Sequence, residues 1–208
     1  MERPDLSLET ACGPDAVVCG VDEVGRGPLA GPVMAAAVIL PPGGLPEAIA
    51  SRIHDSKKLT ARAREALAPL IREHALAVCV AEASVAEIDD INILQAALLA
   101  MRRAVEGLGV VPTHALVDGN KAPKLACAVQ TVVKGDSTSL SIAAASIVAK
   151  VERDRIMMEL HAQFPDFAWD RNAGYPSAAH LAALKRLGAT PHHRTTFGPV
   201  SQVLALRR

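Results

Sequence analysis

The sequence predicts an α/β fold, on three observations. Short runs of branched and small apolar residues alternate with helical periodicity, helix-start signals follow those runs, and acidic residues stand where runs end. Val17 to Val24 and Gly31 to Leu40 read as adjacent strands joined by the glycine-rich turn Gly25-Arg26-Gly27-Pro28. Thr60 can cap a helix running to about His74, after which Ala75 to Ala81 reads as a third strand. Ser84 with Glu87, then Asn92 with Gln95, give two starts of capping-box type. The second leads into an Ala- and Leu-rich helix that stops near Gly107 or Gly109. His114 to Val117 and Ala128 to Val133 are further short strands, and a long helical pattern runs from about Ser139 to His161. Pro41-Pro42-Gly43-Gly44 reads as a surface loop within one main domain.

Beyond residue 162 the texture changes, because Phe164, Phe167, Trp169, Tyr175 and Phe197 are all the aromatic residues the chain has. Most of these rings suit a small satellite core that fastens a C-terminal helix, with Ser177 as its cap and Gly188 as its stop. Tyr175 is the exception, since the turn Gly174-Tyr175-Pro176 tends to expose its ring.

Half of the 208 residues are apolar and 21% are charged, which excludes a disordered or collagen-like chain. Basic and acidic side chains cancel, so no overall excess announces a nucleic-acid partner. Their placement is uneven: residues 1–120 carry 10 basic and 16 acidic side chains, and residues 121–208 carry 12 and 6. That pattern fits a cation site beside a phosphate-binding surface, and equally two solvated faces of unequal charge. Cys12, Cys19, Cys79 and Cys127 are far apart and form no C-x-x-C pair, which favours a reduced compartment over a zinc site or a disulfide framework. The acidic first twenty residues do not read as a secretory signal. The longest apolar run, Ala30 to Leu40, is short of the about 20 residues a bilayer span needs. A cytoplasmic protein without membrane contact is expected.

The chemistry is expected where strands end. Asp22 and Glu23 close the first run, Asp118 closes Ala115-Leu116-Val117, and Asp136 follows Val132-Val133-Lys134-Gly135. Ligand sites in open α/β sheets form beyond the carboxyl ends of strands. Gathered carboxylates repel, so they either take up protons or bind a cation, and an all-oxygen set suits Mg²⁺ or Mn²⁺ and phosphoryl chemistry. Each acid also has a humbler reading: Asp118 before Gly119 as a turn residue, and Asp136 before Ser137 as a cap or Asx-turn. Strand alternation sends neighbours to opposite faces. Either the strand breaks between Asp22 and Glu23, or only one of them is a direct ligand.

At these residues the chain resembles the type 2 ribonuclease H family, in particular its bacterial ribonuclease HII branch. The resemblance is carried by Gly20 to Pro28, Asp55-Ser56-Lys57-Lys58-Leu59, Val117 to Asn120 and Val133 to Ser137. It continues through Ala143 to Val151 with Arg153-Asp154, Gly174-Tyr175-Pro176, and His192-His193-Arg194 with Phe197 to Val200. These segments span residues 20–200 in the family's order. The resemblance implies a ribonuclease H-like mixed sheet flanked by helices, with a C-terminal helical extension. It divides the chain into an N-terminal extension (1–16), a catalytic core (17–161) and a C-terminal substrate-binding segment (162–208). It implies an endonuclease acting on the RNA strand of RNA–DNA hybrids and on ribonucleotides embedded in duplex DNA; a monomer is expected. The ends left are 5′-phosphate and 3′-hydroxyl. Asp22, Glu23, Asp118 and Asp136 match the family's acidic constellation, the first three being those associated with Mn²⁺ or Mg²⁺. Gly25-Arg26-Gly27 matches a ribose-sensing motif, and Tyr175 matches the tyrosine at the RNA-to-DNA junction.

Lys57 and Lys58, in a polar loop, are phosphate partners by the same resemblance and a solvated pair without it. Ser137 either caps the next helix or touches phosphate, and Lys134 and Lys150 add basic surface. His192-His193 suits one metal ion poorly and reads as a solvent-facing turn with no catalytic role. The chain departs from the family in its neutral charge, in Ala173 where lysine is common, and in Ser177 where threonine is common. Two rivals are a dinucleotide-binding oxidoreductase, from the loose fingerprint Gly25-x-Gly27-x-x-Ala30, and a non-catalytic hybrid-binding protein. Pro28 and the strand-like residues after it oppose the first, and the second has no use for four acids at strand ends.

Overall fold

The small and β-branched runs pair into one five-stranded sheet, ordered β3-β2-β1-β4-β5, in a computed structural model that describes residues 3–207. The strands are β1 (Val18–Val24), β2 (Val33–Ile39), β3 (Ala77–Ala83), β4 (His114–Asp118) and β5 (Ala128–Val132). β1 to β3 form an antiparallel meander, while β4 and β5 run parallel to β1, so the sheet is mixed. The helices are α1 (Ser7–Ala11), α2 (Glu47–Ala50), α3 (Ala61–His74), α4 (Val85–Glu106), α5 (Leu140–Gln163), α6 (Trp169–Asn172), α7 (Ala178–Leu187) and α8 (Gly198–Leu206).

Alternation along the strands sorts their side chains onto two cores. Cys19, Val21, Ala115 and Val117 pack with Ala97 and Ala100 of α4 on one face. Ala36 and Val38 pack with Leu67 of α3 and the alanine run of α5 on the other. Gly20 faces α5, where a side chain cannot fit: a Cβ built there would overlap the backbone of Ser141 and Ile142. The missing side chain lets α5 lie directly against the strand that carries Asp22.

Most expected boundaries hold within two residues, and the differences have local causes. The third strand begins at Ala77 because Ala75 still closes α3, its N–H bonding the Ile71 carbonyl at 2.9 Å. It extends to Ala83 through exposed Glu82, which an edge strand tolerates. β2 begins at Val33, after Gly31 at φ +81° and Pro32. Both capping signals of α4 are realised: Ser84 and Glu87 form the reciprocal box, and Asn92 at φ +66° accepts from the amides of Leu94 and Gln95. The turn Gly25–Pro32 leads into the antiparallel strand β2 and not into a helix, which removes the dinucleotide-binding alternative. Ser139, not Ser137, caps α5, its hydroxyl accepting from the Ile142 amide at 3.2 Å. Glu9 of α1 reinforces that helix start by accepting from the Ser139 hydroxyl and the Ser141 amide at 2.7 and 2.9 Å.

The aromatic residues form the expected satellite core, with Phe167 stacked on Trp169 and both buried. One expectation is corrected. His193 is only 1% exposed and lies within this core instead of facing solvent, because its neighbours give it a complete set of hydrogen bonds. His180 Nδ1 lies 2.9 Å from the Tyr175 carbonyl and must carry the proton there. Its Nε2 therefore accepts, from Trp169 Nε1 at 3.2 Å and from His193 Nε2 at 3.0 Å. His193 Nδ1 in turn accepts from the Thr190 amide at 3.0 Å.

Both imidazoles are neutral in this scheme. Burial first, then the charges of His180 and His192, pull His193 down to about 4. A histidine whose folded value lies below its unfolded value binds fewer protons folded than unfolded. Its stabilising contribution is therefore complete above about pH 6.5 and is lost as pH falls towards 4. Relative to His193→Gln, the native protein should lose up to about 1.4 kcal/mol of stability per pH unit across that window. Urea unfolding at a series of pH values checks this, and parallel curves for the two proteins would refute it.

Candidate active site

The parallel register Val18↔His114 to Val21↔Val117 carries one residue further to Asp22 beside Asp118. Both continue the α5-facing alternation, so two strand ends present carboxylates to the same face. β1 runs unbroken through Glu23 to Val24, and Gly25 at φ +95° turns the chain only after both acids. The strand break is thus not realised. Glu23, partly exposed, leaves the strand on the alternate side, yet its carboxylate stays close enough to raise Asp22 and to be raised by Asp118, with Arg26 Nη1 3.7 Å away, so alternation does not exclude it from the cluster.

Asp22 is buried, with one oxygen accepting from the Glu23 amide at 2.7 Å. Burial, then the charges of Glu23 and Asp118, hold its carboxyl well above the ordinary range, while the Ser146 hydroxyl of α5 opposes the shift. Glu23 is raised by burial and by Asp118, against Arg26 and Lys57. Asp136 is raised by burial, then by Asp55 and Asp118, with Lys57 opposing. Asp118 is oriented by the Gly135 amide, which donates to its Oδ1 at 2.7 Å. That contact depends on Lys134, whose left-handed backbone at φ +57° turns the chain back after β5. Neither humbler reading survives: Asp136 caps no helix, and the side chain of Asp118 is spent on the neighbouring segment and not on its own turn.

Lys57 is the cation of this cluster. Burial works against its charge, but Asp136, Asp22, Asp55 and Asp118 outweigh that and hold the ammonium above the usual lysine value. Lys58 sits 3.9 Å from Asp55 and is largely exposed. The Ser137 hydroxyl lies 3.5 Å from Asp136 Oδ1. Lys150 is committed to Asp154 at 2.5 Å, whereas Lys134 is exposed. Arg26 and Gly27 are exposed on the rim, and Tyr175, 47% exposed, lies alongside: a Cβ at Gly27 would come within 3.1 Å of its ring. Ala173 adopts a left-handed backbone at φ +48°, and Ser177 caps α7 by accepting from the His180 amide at 3.2 Å.

Four residues close to the site were not singled out from the sequence. Asp55 presses on Asp136, and Ser146 touches Asp22 and is itself 2.6 Å from the Ser56 hydroxyl. Arg153 and Arg194 bond the carbonyls of the Gly25–Pro32 turn. All four lie inside the segments that carry the family resemblance, which was the one signal available.

Among the described residues, no three His, Cys, Asp or Glu side chains are disposed around a common point as they stand. Asp22, Glu23 and Asp118 are turned instead to a backbone amide, a guanidinium and a second backbone amide respectively. The donor set nevertheless fits a hard divalent ion: every side chain is a carboxylate, and burial with the neighbouring negative charges makes three of them hold protons more tightly than usual.

The family model described as "Ribonuclease HII" matches residues 19–200. A ribonuclease HII of Paramagnetospirillum magneticum is 60% identical over 201 residues, covering 97% of this chain and 98% of that protein. One of Granulibacter bethesdensis is 57% identical over 208 residues, covering 100% and 94%. Among solved structures, ribonuclease H2 from Pyrococcus horikoshii superposes with a TM-score of 0.76 at 26% identity, over 92% of this chain and 99% of that one.

Proposed function

The chain belongs to the ribonuclease HII family, and on that premise we propose that Asp22, Glu23 and Asp118 hold its divalent cation, with Asp136 completing the catalytic set. The enzyme is a ribonuclease H, an endonuclease that hydrolyses RNA paired with DNA. The observation that carries the site assignment is the parallel register that brings Asp22 and Asp118 to one face at adjacent strand ends. Bound there, Mn²⁺ or Mg²⁺ would polarise the scissile phosphodiester and make a water nucleophilic near neutral pH.

The protein's own groups supply the rest. Asp136, held protonated more readily than a free aspartate, is suited to pass a proton to the departing 3′-oxygen. Lys57, charged and leaning over the acids, meets the phosphate, with Lys58 and the Ser137 hydroxyl beside it. The exposed turn Gly25-Arg26-Gly27 approaches the ribose 2′-hydroxyl, which glycines permit, and Tyr175 packs against the neighbouring sugar. Residues 162–208 in this reading are the segment that grips the duplex. The cytoplasm, where the chromosome lies, suits the four free cysteines. No helix among the described residues is long and apolar enough to cross a membrane.

The test is incubation with a duplex carrying one ribonucleotide, with Mn²⁺ or Mg²⁺ and with EDTA. Cleavage 5′ to the ribonucleotide is expected with metal, and cleavage that survives chelation would count against the site. Tyr175→Ala should cost about tenfold or more on that junction substrate, the scale of losing one stacked aromatic contact. Its effect on a long RNA–DNA hybrid should be smaller, and equal losses on both substrates would remove the role given to Tyr175.

A further inference from the structure

Arg153 of α5 and Arg194, which precedes α8, are both 0% exposed, yet every guanidinium hydrogen bond they make goes to a main-chain carbonyl and none to a carboxylate. Arg194 Nη2 bonds the carbonyls of Gly25 and Gly31 at 2.6 and 2.9 Å, and its Nη1 bonds that of Arg26 at 3.0 Å. Arg153 bonds Pro32 and Ala30 at 3.1 Å each, and Ala173 at 2.9 Å. Burial draws Arg194 to about 9 and Arg153 to about 10, so both remain cations at neutral pH. Two buried cations with no carboxylate hydrogen-bonded to them are costly, and what they secure is one surface turn.

The consequence follows from the trans peptide, in which carbonyl and N–H point in opposite directions. With the Gly25 and Arg26 carbonyls pulled inward onto Arg194, the amides of Arg26 and Gly27 face outward. That is the side on which Arg26, Gly27 and Tyr175 are exposed. The β1–β2 ladder ends at Val24, and among the described residues neither amide donates to a protein acceptor. Both are ready donors for a ligand oxygen.

We propose that Arg194 and Arg153 are positioning residues for sugar recognition: they fix the turn so that two backbone amides, with Tyr175 beside them, face the ribose of the substrate. The inference rests on the reading of Gly25-Arg26-Gly27 as the sugar-sensing turn. Arg153 links the two halves of that surface, since it also holds the Ala173 carbonyl at the base of the Tyr175 turn. Arg194 is itself anchored through its neighbours: the amides and hydroxyls of Thr195 and Thr196 donate to the two oxygens of Asp89 on α4 at 2.7 to 3.0 Å.

Arg194→Lys keeps a cation but cannot span these carbonyls. The variant is assayed on a duplex with one ribonucleotide, and its binding to that duplex and to the all-DNA duplex is compared in Ca²⁺. Mn²⁺ binding by calorimetry and thermal unfolding report on the metal site and the fold. A loss of about a hundredfold in kcat/KM, the scale of misplacing a reacting group by an ångström, is expected. The preference for ribose over deoxyribose should shrink towards one, while affinity for all-DNA duplex and for Mn²⁺ holds. A folded Arg194→Lys that keeps its ribose preference overturns the proposal. Should it not fold, Asp89→Asn loosens the same anchor from outside, with a loss of about tenfold in that preference expected on the same scale. An unchanged preference there is equally fatal. Gly27→Ala in the native background separates the two ideas: if it leaves ribose preference untouched, the turn is not the sugar reader, and the purpose assigned to the arginines falls with it.

Discussion

Asp22→Asn should lower metal-dependent cleavage by about a thousandfold or more, in the range seen when a central catalytic group is removed, and should leave the metal-free protein at least as stable as the native one. The two effects share a cause. Asp22 is buried beside Glu23, Asp118 and Asp136, and its carboxyl is held well above its ordinary value, so its ionised form opposes folding. The folded protein therefore binds that proton more tightly than the unfolded chain does. The cost is absent below the unfolded value and grows as pH rises towards neutrality. Asparagine keeps the shape and the acceptor for the Glu23 amide but carries no charge, and a gain of about 1 kcal/mol is the scale on which relief of an unpaired buried charge acts. Adding Mn²⁺ should raise the Tm of the native protein, because only the folded state assembles the site, and should raise that of Asp22→Asn less. A folded variant that cleaves within about tenfold of the native enzyme would remove Asp22 from the metal site.

That trade between stability and activity was partly legible in the sequence. Polar residues terminating apolar runs marked Asp22, Glu23 and Asp118 because a strand core excludes unpaired charge, and the marking needs no tertiary knowledge. Which strands become neighbours did need it: β1 and β4 lie nearly a hundred residues apart, and only their register sets Asp22 beside Asp118. Helix starts were read correctly wherever a side chain closes on the backbone a few residues away, as at Thr60, Ser84, Asn92 and Ser177. Ser137 misled because Ser139 offers the same chemistry two residues on.

Buried polar residues were the harder class. His193, Arg153 and Arg194 look like surface residues by type, and their burial follows from carbonyls, an indole and a second imidazole contributed by remote segments. Ser146 is one hydroxyl in a helix of alanines, and nothing local distinguishes it from Ser141. Asp55 lies in a loop, away from any strand end, so the rule that found the other acids could not reach it.

Gly20→Ala should be the most damaging single methyl in the sheet, and its signature is opposite to that of Asp22→Asn. The added carbon would overlap backbone atoms of Ser141 and Ile142, and backbone cannot rotate aside as a flexible side chain does. α5 must lift from β1, opening the packing of its alanine run against the sheet, and a loss of about 3 kcal/mol is the upper part of the range for overpacked cores. Because α5 also carries Ser146 to Asp22, the lift reaches the carboxylates, and cleavage should fall together with stability. Thermal unfolding paired with the single-ribonucleotide assay at a temperature where the variant is folded separates the two losses. Full activity in a destabilised Gly20→Ala protein would mean that α5 can move without disturbing Asp22. The close approach of helix and strand would then serve stability alone.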